Sequence, residues 1–175
     1  VLVSDKLTDR VEKSINKIKN LLSRYFLGLL FQITILLIIY SIDLAIFNVE
    51  NAFIIAFLCA LLNLIPYLGP IIGAILMTLL TMSSFIGSDF SEVILPKTIY
   101  VMIGFLIGQL VDNFFSQPFI FSNSVKSHPL EIFIVILASG IMLGPVGMIV
   151  GIPIYTSLKV IAQEFLPHNK IVKSL

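Results

Sequence analysis

Asn63-Leu64-Ile65-Pro66-Tyr67-Leu68-Gly69-Pro70 lies inside a run from Asn51 to Ser88 that carries no charged residue over 38 positions. At ~1.5 Å per residue, a helix of that length is far longer than the ~30 Å hydrocarbon core of a bilayer. Each proline removes an amide donor and pushes the residue before it out of helical geometry. The run is therefore expected to break at Pro66 and Pro70 into two short half-helices joined by a bend.

The rest of the chain supports lipid as the solvent. Of its 175 residues, 58% are hydrophobic and 12% charged, against roughly half and about a quarter in a soluble domain. Mean hydropathy is +1.05. So much apolar surface argues against a water-soluble globule and against disorder. Tyr25 to Phe47 forms a 23-residue span with one charge, Asp43, and Lys97 to Ser116 forms another. A polar break follows, from Gln117-Pro118 to His128-Pro129. Ile132 to Leu158 is again too long for one crossing and is interrupted at Leu143-Gly144-Pro145-Val146-Gly147. The triplet Leu-Gly-Pro occurs in both interruptions, 75 residues apart. Paired Gly/Pro-broken segments point toward the central site of a transporter. Gly69 and Gly73, Gly104 and Gly108, Gly140 and Gly144, and Gly147 and Gly151 are each four apart, a spacing that favours close helix packing in a bundle.

Ahead of the first span, Leu7, Val11, Ile15, Ile18, Leu22 and Tyr25 recur at helical intervals among charged residues, which predicts an amphipathic arm. The expected organisation is an arm over residues 1–24, a transmembrane helical bundle over 25–162 and a polar tail over 163–175. Six of the eleven basic residues fall in the arm. With the arm cytoplasmic and each broken segment entering and returning on one side, Lys126, Lys159, Lys170 and Lys173 also lie inside. Lys97 alone is left outside with Glu50, Asp89 and Glu92, as the positive-inside rule expects. The two hairpins would then enter from opposite faces, and their freed peptide groups would need protein or a wet cavity around them. The chain begins at Val1 and shows no short leader with a cleavage site, so it is expected to be part of a longer protein.

Gln109, Asp112, Asn113 and Ser116 lie at offsets of zero, three, four and seven, one face of a helix. An ionisable group in such company within a span is a functional candidate. The alternative for Asp112 is structural: it reaches interfacial water or caps the second hairpin. Asn63 has two readings, bonding a freed carbonyl or lining the cavity. Asp43, nearer a helix end, is the weaker candidate. His128 has no second histidine or cysteine at ligand spacing, so no metal is expected. Cys59 stands alone, and an intramolecular disulfide is excluded. No nucleophile elbow, zinc-protease motif or phosphate-cradling loop occurs. With a net charge of +1, no nucleic-acid surface and no cofactor are expected.

Asn63-Leu64-Ile65-Pro66-Tyr67-Leu68-Gly69-Pro70-Ile71-Ile72-Gly73 resembles the Asn-x-x-Pro-Tyr-x-Gly-Pro-x-x-Gly segment in the C-terminal half of the autoinducer-2 exporter family of bacterial membrane transporters. A second family region is matched by Asp112-Asn113, Pro118, His128-Pro129-Leu130, Gly144-Pro145, Gly147, Gly151, Pro153 and Lys159. The resemblance implies a multi-pass protein of the bacterial cytoplasmic (inner) membrane that exports a small polyhydroxylated signal or exchanges sodium or lithium for protons. The expected fold is an all-α integral membrane protein with an amphipathic N-terminal helix and two Pro/Gly-broken helical hairpins. The expected function is secondary transport of a small polar solute or monovalent cation between those hairpins, in a homo-oligomer. A non-transporting oligomeric scaffold is the reading from another class.

Overall fold

A computed structural model describes residues 2–118, 120 and 128–165, without the side chains of residues 2–6 and 129. The described residues are all-helical, with no strand among them. In order they form α1 (Leu2–Ile46), α2 (Ala52–Leu62), α3 (Leu68–Ser84), a π-helical turn (Phe90–Ile94), α4 (Leu95–Val111), a second π-helical turn (Asp112–Ser116) and α5 (Pro129–Phe165). Three stretches are long and apolar enough to cross a membrane: Leu7–Ile46, Phe90–Ser116 and Leu130–Phe165. Lys126 and the tail from residue 166, on which part of the charge-based topology rests, lie outside the described residues.

The arm and the first span are one uninterrupted 45-residue helix. No proline or glycine separates them, so nothing in the backbone ends the helix at residue 24. Its residues up to Leu27 fall in one unit with α5, and those from Gly28 fall in a second unit that extends to Phe119.

In the second unit, α2 and α3 are 11 and 17 residues long, roughly 16 and 26 Å, each too short for the hydrocarbon core. Asn63 to Tyr67 form the bend between them. Leu64 N–H and Ile65 N–H donate to Leu61 and Leu62 carbonyls at 3.0 Å each, and Gly69 N–H donates to Ile65 at 2.8 Å. Tyr67 takes φ +66° to reverse the chain. Pro66 lies in the bend, whereas Pro70 falls in the first turn of α3, where a missing amide costs little. The two helices run antiparallel: Gly69 lies against the Leu62 carbonyl, and the Cys59 thiol is 3.6 Å from the Gly73 carbonyl. A Cβ on Gly69 would overlap the Leu62 oxygen, while one on Gly73 would make ordinary contacts with the Phe105 ring at 3.7 Å and the Cys59 carbonyl oxygen at 3.9 Å. Leu36, Tyr40, Leu44, Ala56, Cys59, Met77, Val101 and Phe105 form the core joining these helices to α1 and α4.

In the first unit, α5 is not a straight 37-residue rod. Gly144 has φ +65° and ψ −152°, a conformation essentially reserved for glycine, and the helix folds back there. Pro145 then opens the second arm at a position that needs no amide donor. Ser139 packs on Gly147 and Gly151, and Met148 packs on Gly140. At the open end, Tyr155 Oη donates to Glu131 Oε2 at 2.9 Å and Lys159 Nζ lies 3.2 Å from the same oxygen. His128 caps the first arm, its Nδ1 accepting from Leu130 N–H at 3.3 Å.

Pro153 differs from its expected part in breaking the chain, since it lies within the second arm and the helix continues through it. An interior proline leaves the carbonyl four residues earlier without its helical donor. That carbonyl, on Ile149, accepts the Tyr25 hydroxyl at 3.2 Å. Tyr25→Phe is therefore expected to cost about 1 kcal/mol. In a double-mutant cycle, Pro153→Ala should restore the helical bond and bring the cost of Tyr25→Phe close to zero. Unfolding in mild detergent measures both; equal costs in the two backgrounds would contradict the compensation.

Candidate functional site

The second unit reverses the polarity of a soluble protein. Ile38, Ile42, Ile75, Leu79, Ile103, Ile107 and Leu110 are exposed, whereas Gln32, Asp43, Asn63, Thr81, Gln109, Asp112 and Ser116 are buried. Apolar side chains face outward where lipid would lie, and hydrogen-bonding groups are gathered inside.

Most of those polar groups lie in a string between α1, the end of α2 and α4, as two hydrogen-bonded groups about one helical turn apart. Gln109, near the end of α4, uses both amide protons: Nε2 donates to the Tyr40 hydroxyl at 2.7 Å and to Asn63 Oδ1 at 2.9 Å. Asn63 turns its Nδ2 to the Cys59 carbonyl at 2.8 Å. It thus both satisfies a carbonyl at the end of α2 and takes part in the polar string. One turn beyond Gln109, Asp112 Oδ2 accepts from Gln32 Nε2 and from Gln117 Nε2, each at 3.0 Å. Asp112 and Ser116 are completely buried. Asp112 Oδ1 and Ser116 Oγ have no hydrogen-bond partner among the described residues. No described Lys, Arg or His forms an ion pair with Asp112.

Asp112 opens the second π-helical turn, closed by Gln117 N–H donating to the Asp112 carbonyl five residues back. The wider turn rotates the residues after it. Asn113 consequently leaves the buried face, is exposed, and only accepts from Gln117 at 2.9 Å. Of the four residues expected on one face, Gln109, Asp112 and Ser116 are brought together and Asn113 is not. Pro118 also departs from its expected place in a polar break, since residues 117, 118 and 120 are still helical. The enlarged turn relieves the collision that a proline ring makes in a regular helix. Residues 121–127 of that expected break lie outside the described residues.

The remaining motif residues are parts of the scaffold. Pro66, Gly69, Pro70 and Gly73 shape the first hairpin; His128, Pro129, Gly144, Pro145 and Gly147 shape the second, which belongs to the other unit. No group of three or more potential metal ligands occurs among the described residues. Gln32 and Tyr40 were not singled out from sequence. Their signal is the spacing Gln32, Leu36, Tyr40, Asp43, a single stripe on α1 that returns a polar side chain to one face.

The sequence profile described as AI-2E family transporter matches residues 2–166. The chain belongs to the AI-2E transporter family. Three relatives from Bacillus subtilis (strain 168), each named a "Putative transport protein", support that placement. YrrI is 32% identical over 145 residues, covering 83% of this chain and 38% of its own. YueF is 27% identical over 150 residues, covering 84% and 37%. YtvI is 27% identical over 166 residues, covering 95% and 41%. This AI-2E chain thus spans about two-fifths of the length of these relatives. No solved structure matches it. Three helices long and apolar enough to cross a membrane accord with that family, and the polar string around Asp112 is the candidate site.

Proposed function

We propose that this AI-2E chain carries the polar site of a secondary transporter in the bacterial cytoplasmic membrane. Asp112 takes a coupling proton or monovalent cation. The amides and hydroxyl of Gln109, Asn63 and Tyr40 bind a small polar solute. One observation carries this reading: a fully buried carboxyl group with an unpartnered oxygen and no cationic partner among the described residues. Such a group is costly at bilayer depth unless it takes up a proton or a cation. The distribution of lysine and arginine in the sequence supports a cytoplasmic arm and tail. The apolar stripe of the arm, with Leu7, Val11 and Ile15 exposed, favours a homo-oligomer.

A second reading is export of a neutral polyhydroxylated solute, including the quorum signal in the family's name, without ion coupling. It is favoured by the neutral amide surroundings, in which Gln32, Gln109, Gln117 and Asn63 supply the hydrogen bonds.

The test is flux into proteoliposomes of the complete protein, comparing the quorum signal with sodium and lithium under an imposed pH gradient. Uptake of solute or cation that depends on the gradient is the expected result. Gradient-independent flux of the signal favours the second reading. Stable oligomers with no flux of any of these favour a non-transporting scaffold.

A further inference from the structure

The stripe on α1 that supplies Gln32 to Asp112 and Tyr40 to Gln109 continues one turn further, to Asp43. Asp43 lies only three residues from the end of the helix. It is nevertheless more than nine-tenths buried, with 7% of its surface exposed. Its Oδ2 has no hydrogen-bond partner among the described residues.

The facing surface of α4 is shaped to receive it. Along this interface α1 and α4 run antiparallel: Phe47 stacks on Tyr100 at 5.7 Å, Tyr40 fits against Gly108 and stacks on Phe105 at 5.2 Å, and Gln32 reaches Asp112. In that register Asp43 falls opposite Gly104. A Cβ built on Gly104 would overlap all three carboxyl atoms, so any other residue there would displace the group. Ion pairing does not explain the arrangement. Lys97, at the start of α4, places its ammonium 3.9 Å from the centre of the Phe85 ring. No described basic side chain forms an ion pair with Asp43. The other titratable groups on the two packed helices near it are the phenols of Tyr40 and Tyr100.

We infer that Asp43, cradled by Gly104, is a second cation-accepting site, separate from Asp112, that takes a proton or a small monovalent cation such as sodium or lithium. A buried carboxyl group that lacks a fixed positive partner needs a mobile one. Asp43 and Gln32 are eleven residues apart on α1, about 16 Å along its axis. The two carboxyl groups therefore mark different depths of one polar stripe, with the Tyr40–Gln109 hydrogen bond between them. The assignment of Asp43 does not require Asp112 to carry the coupling ion, and its test reads no flux.

Dicyclohexylcarbodiimide, an apolar reagent that adds to protonated carboxyl groups, is applied to the full-length protein in choline, sodium or lithium chloride, and adducts are located by peptide mass spectrometry. An adduct on Asp43 is expected. If the site takes sodium or lithium, labelling should fall about fivefold when that cation is present at four times its Kd. If it takes only a proton, labelling should decline as pH rises and ignore the salt. Asp43→Asn, a neutral isostere, should remain folded and lose the part of the wild-type thermal shift that follows that cation or pH. Absence of an adduct on Asp43 at every pH overturns the site, as does a thermal response of Asp43→Asn identical to that of the wild type. If flux fails with Asp112→Asn while labelling of Asp43 persists, the two sites are separable, and failure of one assignment is not failure of the other.

Discussion

Asp112→Asn in the full-length protein is expected to leave the fold intact and to remove cation- or pH-dependent flux. The amide matches the carboxyl in shape, and Oδ1 can still accept from Gln32 or Gln117, whose amides now donate to Asp112 Oδ2. What it cannot do is alternate between charged and neutral forms. A charge-assisted hydrogen bond contributes about 1.5–3 kcal/mol, which corresponds to a loss of roughly tenfold or more in flux. Proteoliposome uptake under a pH gradient measures it, with detergent unfolding as the control for the fold. Wild-type flux would remove Asp112 from ion coupling and leave transport of a neutral solute. Asn113→Ala, one position along but on the exposed face, provides a matched comparison and should have little effect.

Gly69→Ala carries the largest expected effect on stability. The added methyl would enter the position of the Leu62 carbonyl oxygen, a backbone atom that cannot rotate away. Overpacking typically costs about 1–3 kcal/mol, and a collision with backbone belongs at the upper end. The α2–α3 hairpin must open to relieve it, which also moves Asn63 away from Gln109. Gly73→Ala, one turn further on, adds only ordinary contacts with Phe105 and the Cys59 carbonyl and should lie within about 0.5 kcal/mol of wild type. Equilibrium unfolding of both variants in the same detergent checks the contrast. Equal stabilities would mean that the helices do not approach as closely as described.

Much of this was legible in the sequence because lipid simplifies the code. Long charge-free runs mark helices, and a run too long to cross once must turn where proline and glycine permit it. Pro66 and Gly144 are accordingly at or beside the two reversals. The same rule does not say which prolines break a helix. Pro118 and Pro153 do not, because the π-helical turn accommodates one and the Tyr25 hydroxyl compensates for the other. Helical offsets placed Gln109, Asp112 and Ser116 together correctly, and misplaced Asn113 because an i to i+5 turn has no signature in a period of 3.6. Gln32 and Tyr40 are not distinguished by sequence, and Asp43 ranks low, for a different reason. Each is a single polar residue in an apolar span, and only the helix opposite shows whether it faces lipid or a partner.

In this account the segment between Asn51 and Ser88 enters and returns on one side of the membrane, holding Asn63 against Gln109 inside the protein. Single cysteines at Asn48 and at Ser88, both exposed and flanking that segment, are introduced into full-length protein with Cys59 replaced by serine, and a membrane-impermeant maleimide is applied from either face. Labelling of both positions from the same side is the predicted result; labelling from opposite sides would contradict it.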